Sequence, residues 1–293
     1  MKNFFFFLKL LRTQQWVKNT FIFFPLLFSG YLFHREPAVS TVLTFLGFCL
    51  ISSSLYVFND YKDREKDKLH PKKAHRPLAQ THIPSSTIFS LIVIFMGIGL
   101  FICYKISAAI LFIAIFYIAI HLIYNYYTKM IVILDVIFVA IGFQIRILAG
   151  SLAAGVPPSV WLQMCVFLLA LFLGFTKRRY EISTLKEKAS EHRSVLAHYT
   201  SYLLDQIIII CSTLAIAFYG LYTISSDIVQ RIGNQNMIYS VAFVIYGIFR
   251  YLYLVHVKKL GDEPGEILST DAPLLINVLL WILYVGFLIY SSP

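Results

Sequence analysis

Asn59-Asp60-Tyr61-Lys62-Asp63-Arg64-Glu65-Lys66-Asp67 sets three aspartates at i, i+3 and i+7. At about 100° per residue, a helix continuing through this stretch brings Asp60, Asp63 and Asp67 within roughly 60° of one another, with Asn59 beside them and Glu65 pointing away. Three carboxylates on one stripe repel unless a cation holds them. Hard oxygen donors in that number suit Mg2+, which shares the rest of its shell with water and phosphate oxygens. The alternative is a solvated charged segment whose acids pair with their own lysines. The segment continues with Lys72, Lys73, His75 and Arg76, bracketed by Pro71 and Pro77. Cations beside a metal-ready stripe fit a polyanionic ligand, with a diphosphate as the natural candidate. The sequence holds neither a Walker loop nor a glycine-rich dinucleotide fingerprint, which disfavours nucleotide-hydrolysing enzymes.

Two further clusters carry charge. Lys177, Arg178, Arg179, Tyr180 and Glu181 follow an apolar run, with Arg193 farther along. A polybasic stop after a membrane helix is either an anchor or a site for an anionic group. Its placement after the sixth apolar run, as the acids follow the second, gives the chain a weak two-half symmetry. Lys129, Asp135 and Arg146 form the third cluster. Ionisable residues inside a membrane are costly and face a bundle interior or a wet cavity. Asp135 and Arg146 share a helical face but stand about 16 Å apart along it, so any pairing between them needs intermediaries.

These clusters must be positioned by apolar elements. The chain is 58% hydrophobic and only 14% charged, with a mean hydropathy of +0.73, which excludes a soluble domain. Apolar runs near residues 20–34, 39–58, 86–104, 107–124, 131–152, 159–176, 203–225, 237–256 and 273–290 have the length a membrane helix needs. Pro25 interrupts the first. The expected fold is all-α, a polytopic membrane bundle of about nine transmembrane helices forming a single domain over 1–293. Residues 1–19 read as an interfacial amphipathic segment, and 59–85 and 177–202 as cytoplasmic active-site segments. Cys49, Cys103, Cys165 and Cys211 sit in apolar runs without metal-ligand spacing and read as small core hydrophobes. Much of the net charge of +10 is topological rather than a nucleic-acid footprint, while some of it is more concentrated than topology requires. Its lysines and arginines gather at the N-terminus, 62–76, 129, 177–193 and 258–259, leaving Arg35, Lys105 and Arg231 opposite. That asymmetry places the clusters on the cytoplasmic side of the cell membrane.

The Asn59–Asp67 stretch matches the NDxxDxxxD pattern of the UbiA superfamily of intramembrane prenyltransferases, and the helix count extends the resemblance over nearly the whole chain. Within it, QWVKN (15–19), HPKKAHRPLA (70–79), TKRRYE (176–181) and LGDEPGEIL (260–268) look most like the decaprenyl-phosphate phosphoribosyltransferases. Aromatic prenyltransferases of the superfamily carry a second acidic motif where this chain has Lys177–Glu181, and a second anionic substrate group explains that swap. The resemblance implies transfer of the phosphoribosyl group of 5-phosphoribosyl 1-diphosphate to a polyprenyl phosphate, releasing diphosphate. It implies Mg2+ on Asp60, Asp63 and Asp67, and Asn59, Arg146, Tyr180 and Glu181 among the substrate-binding residues. Lys18, Lys72, Lys73, Arg76 and Lys129 would cradle the diphosphate or ribose phosphate, and Lys177, Arg178, Arg179 and Arg193 the other phosphate. The partners are then those two substrates and the membrane, with a homo-oligomer compatible with the sequence. The rival expectations are a Mg2+-dependent prenyltransferase with a small aromatic acceptor and a lipid transporter. A transporter would place its polar groups near mid-bilayer, whereas here they gather at one surface.

Overall fold

The computed structural model describes residues 2–68, 73–81, 83–185, 194–260, 267–268 and 270–291. Among these, every regular element is helical, and eight helices are long and apolar enough to cross a membrane. The chain packs as two compact units. The first comprises Met1–Leu26, Tyr31–Tyr126 and Ile145–Pro157, and the second Leu27–Gly30, Tyr127–Gln144 and Pro158–Pro293.

In the first unit, α1 (Lys2–Leu10) leads through Arg12 into a 3-10 run, Thr13–Phe23, and the short α2 (Phe24–Phe28). Next comes α3 (Arg35–Lys68), whose 34 residues rise about 50 Å, far more than the hydrocarbon core requires. Its last turns therefore carry Asn59 to Asp67 as one uninterrupted helix. After α4 (Pro77–Gln80), α5 (Ser85–Ile106) and α6 (Ala108–Tyr126) pack beside α3. Close approach of α3 to α5 depends on Gly47 and Gly99: a Cβ on Gly99 would lie 2.8 Å from the Gly47 carbonyl oxygen.

The expected span at 20–34 takes a different form. Trp16 Nε1 donates to Ser53 Oγ (2.9 Å), Asn19 Nδ2 to Ser52 Oγ (3.1 Å), and the Phe23 ring packs tilted against Phe45 at 5.2 Å. As the residue number rises along this segment, its partner's number on α3 falls, so the segment runs antiparallel to α3. At about 2.0 Å per 3-10 residue and 1.5 Å per α residue, Thr13–Phe28 covers about 30 Å, enough to cross a bilayer core. Pro25 sits at the start of α2, where its missing N–H costs no helical bond. Irregular backbone at membrane depth persists only where protein covers it. Gly150 provides part of that cover, since any Cβ there would collide with the Ile22 carbonyl.

α7 (Leu134–Ala154) contributes its first half to the second unit and its second half to the first. The second unit continues with α8 (Val160–Leu185), α9 (Ser201–Thr223), α10 (Ser226–Ile232), α11 (Val241–His256) and α12 (Ala272–Tyr290). Its core joins Val136 and Ala140 to Phe172 and Phe175, Leu204 and Ile208, Ile248 and Leu254. Thr200 caps α9 by accepting from Leu203 N (3.1 Å), and Asp271 caps α12 by accepting from Leu274 N (2.9 Å).

Candidate active site

The carboxylate stripe of α3 sits in the first unit. Asp60 and Asp67 are buried and Asp63 is half-buried. Exposed Glu65 instead pairs along the helix with Lys68 (2.9 Å). Arg76, beside α4, places one nitrogen, Nη1, 3.1 Å from Asp60 Oδ1 and 2.6 Å from Asp67 Oδ2. Arg12 reaches Asp60 from the other side, with Nε donating to Oδ2 (2.8 Å) and Nη2 to Oδ1. Asp63 has no ion-pair or hydrogen-bond partner among the described residues. Asn59 Nδ2 lies 3.3 Å from His121 Nε2 of α6, which fixes the head of the stripe. Lys62 Nζ sits 3.7 Å above the Tyr126 ring.

The donor set fits a hard divalent cation. Two buried carboxylates already converge on a single positive atom, and a third, open one stands between them in sequence on the same helix. Among the described residues, no three His, Cys, Asp or Glu side chains close into a metal cluster; the Arg76 guanidinium stands between Asp60 and Asp67 instead.

Other expected residues of this unit are placed differently. Arg146 is buried in α7, with Nε donating to Asn19 Oδ1 (2.7 Å) and Nη2 to Tyr117 Oη (2.8 Å). Its guanidinium thus ties α7 and α6 to the 3-10 run. Asn19, through Cys49 and Ser52, ties the run to α3. Lys18 is half-buried next to that knot. Lys72 lies outside the described residues; Lys73 opens the 3-10 turn Lys73–His75, and its side chain also lies outside them.

In the second unit, Asp135 is fully buried and accepts from Arg178 Nε (2.7 Å) and Tyr199 Oη (2.7 Å). Burial, followed by this hydrogen bond to a carboxylate, raises the pKa of the Tyr199 phenol and keeps it protonated. Arg178 also donates to Glu181 (2.8 Å), and Arg179 to Asp205 (2.9 Å). The basic motif therefore divides: Arg178 is buried within the protein's own ion pairs, while Lys177, Arg179 and Tyr180 are half-buried. Lys129 is half-buried too, beside Thr128, whose buried hydroxyl lacks a hydrogen-bond partner among the described residues. Arg193 lies outside the described residues.

Sequence reading missed Arg12, His121, Tyr199 and Asp205. None shares a local spacing with its partner; Arg12 and Asp60 are 48 residues apart. The one available signal for Arg12 was its position just before QWVKN.

Known proteins resemble this chain over nearly its full length. The model of the UbiA prenyltransferase family matches residues 22–264. A decaprenyl-phosphate phosphoribosyltransferase of Mycolicibacterium smegmatis is 31% identical, over 97% of this chain and 92% of that protein. One from Corynebacterium glutamicum is 28% identical, over 98% and 87%. Among solved structures, a UbiA homologue from Archaeoglobus fulgidus bound to GPP and Mg2+ superposes with a TM-score of 0.70 at 19% identity, over 98% of this chain and 99% of that one.

Proposed function

The chain belongs to the UbiA prenyltransferase family, and from that premise we propose that it moves the phosphoribosyl group of 5-phosphoribosyl 1-diphosphate onto a polyprenyl phosphate. The observation that carries this reading is the near-full-length likeness to phosphoribosyltransferases acting on decaprenyl phosphate. The protein is a multi-pass membrane enzyme, and its charge asymmetry supports an active site at the cytoplasmic face of the cell membrane.

The chemistry agrees with the residues present. Asp60, Asp63 and Asp67 would hold Mg2+, a role supported by the convergence of Asp60 and Asp67 on one cationic atom. A bound divalent cation neutralises charge on the departing diphosphate. The ribose C1–O bond to diphosphate breaks, its electron pair leaves with the diphosphate, and an oxygen of the lipid phosphate forms the new bond to C1. Because that oxygen is already anionic, no general base is required. Arg76, Lys18, Lys72, Lys73 and Lys129 would take phosphate oxygens of the donor, with Asn59 holding the stripe in register through His121. Lys177, Arg179 and Arg193 would hold the lipid phosphate, flanked by Tyr180. Arg178, Glu181 and Arg146 would act as positioning residues, because their charges are engaged inside the protein.

The test supplies purified protein with phosphoribosyl diphosphate, a polyprenyl phosphate and Mg2+, and follows the lipid by mass spectrometry. The expected product is a phosphoribosylated polyprenyl phosphate. Turnover of a prenyl diphosphate with an aromatic acceptor, and no phosphoribosylated lipid, would replace this reading with simple prenyl transfer.

A further inference from the structure

We propose that Arg12 is a further diphosphate-binding residue, parked on the carboxylate Asp60 in the ligand-free protein and passed to phosphate oxygens when the metal and diphosphate bind. The inference deepens the reading above and rests on it for a metal–diphosphate ligand at this stripe.

Three observations lead to it. Arg12 has left-handed backbone angles, φ 50° and ψ 46°, at the junction between α1 and the 3-10 run. For a residue with a Cβ that conformation is unfavourable, and it persists where the surroundings over-determine it. Here they do. Ser53 Oγ donates to the Leu11 carbonyl (2.8 Å), Arg12 N to the Lys9 carbonyl (3.1 Å), and Gln15 N to the Arg12 carbonyl (2.8 Å). The main chain is thus fixed while the side chain projects toward the metal-binding stripe.

The second observation is the form of the contact. The guanidinium grips Asp60 with a two-pronged fork and lies 5.4 Å from the Tyr56 ring centre. The same planar fork matches phosphate oxygens, so exchanging a carboxylate for a phosphate conserves its hydrogen bonding. The third is competition. Arg12 occupies both oxygens of Asp60, and Arg76 adds a second bond to Oδ1. A cation that takes Asp60 must loosen that grip.

Charge counting turns this into opposite signs. Asp60, Asp63 and Asp67 bring three negative charges, and Arg12 with Arg76 returns two. The stripe is therefore one charge negative without ligand and one positive once a divalent cation joins it. Removing Arg12 makes the site a better one for the cation alone and a worse one for the anion that follows. That opposition follows from charge alone, so the guanidinium fork is read from Arg12→Lys, which keeps the charge.

The experiment is calorimetric titration of the full-length chain in detergent, with wild type, Arg12→Gln and Arg12→Lys. Each is titrated first with MgCl2 alone, then with inorganic diphosphate at saturating Mg2+. For Arg12→Gln, Mg2+ alone binds several-fold more tightly, and diphosphate about tenfold more weakly. Arg12→Lys keeps the charge but loses the fork, so Mg2+ affinity stays near wild type while diphosphate weakens by a smaller factor. It also serves as the folded variant if Arg12→Gln does not survive purification. If the two affinities move in the same direction in Arg12→Gln, or if Arg12→Lys binds diphosphate as tightly as wild type, Arg12 is not a ligand residue. Inorganic diphosphate is the leaving group in phosphoribosyl and prenyl transfer alike. A wrong lipid product would therefore sink the proposed reaction without touching Arg12, and unchanged diphosphate binding would do the reverse.

Discussion

Asp60 and Asp63 lie one turn apart on α3 in different electrostatic company, and that difference separates their roles experimentally. Asp60 is buried against two guanidinium groups, whereas Asp63 is half-buried with no partner among the described residues. Removing Asp60 strands Arg12 as well as deleting a proposed metal donor. Asp63→Ala deletes only a donor, so we expect activity to fall by about 100-fold or more with the melting temperature in detergent unchanged. Asp60→Ala should lose activity to a similar extent and melt earlier. Near-wild-type turnover in Asp63→Ala would remove it from the metal set, whatever its stability. The acidic stripe was legible in the sequence because helical periodicity alone predicts which side chains share a face. Its counter-ions were only half legible. Arg76 is close in sequence and sits in a recognisable basic run, but Arg12 comes to Asp60 through tertiary packing that no local spacing encodes. The fate of Arg178 was hidden for the same reason: a basic motif reads identically whether its charges face a ligand or, like this one, a buried aspartate.

Among the elements, length and apolar content announced eight of the nine expected crossings. The segment before α3 depends instead on its neighbours: Trp16, Asn19 and Ile22 are stationed by Ser53, Ser52, Arg146 and Gly150. Read alone, its polar residues and Pro25 look like defects; packed against α3, the polar residues are the attachment points. Helix ends give a second case. Asp271 caps α12 and receives both Nε (3.1 Å) and Nη2 (2.8 Å) of Arg250. The Arg250 guanidinium holds the Asp271 carboxyl below its ordinary pKa. A depressed carboxylate stabilises the fold above its unfolded pKa of about 3.9 and loses that contribution as pH falls through the lower, folded value. Asp271→Asn keeps a good capping side chain but removes the charge. We therefore expect it to melt below wild type at pH 7, with the gap closing as the pH is taken below about 4. A gap that stays constant across this range would assign the effect to the cap and not to the ion pair.

At the scale of the whole molecule, orientation follows from counting crossings. Thr13–Phe28 runs antiparallel to α3 and is long enough to cross the bilayer, so α1 and the acidic end of α3 emerge on the same side. Had residues 1–34 lain along one surface, the N-terminus would share a side with Arg35 instead. Every basic cluster singled out in the sequence falls on the side of α1 under the first arrangement, and the positive-inside rule supports the proposal that this side is cytoplasmic. The native cysteines give a quiet background for a labelling test, since Cys49, Cys103 and Cys211 are buried and Cys165 is half-buried. Gln80, after the acidic segment, and Asn234, between α10 and α11, are both exposed. In intact bacterial cells, a membrane-impermeant maleimide should label Asn234→Cys and leave Gln80→Cys unmodified until the membrane is opened. The reverse pattern would invert the protein and put the proposed diphosphate site outside the cell, away from cytoplasmic phosphoribosyl donors. Labelling of both positions in intact cells would break the count of five crossings, α5 to α9, that separates them.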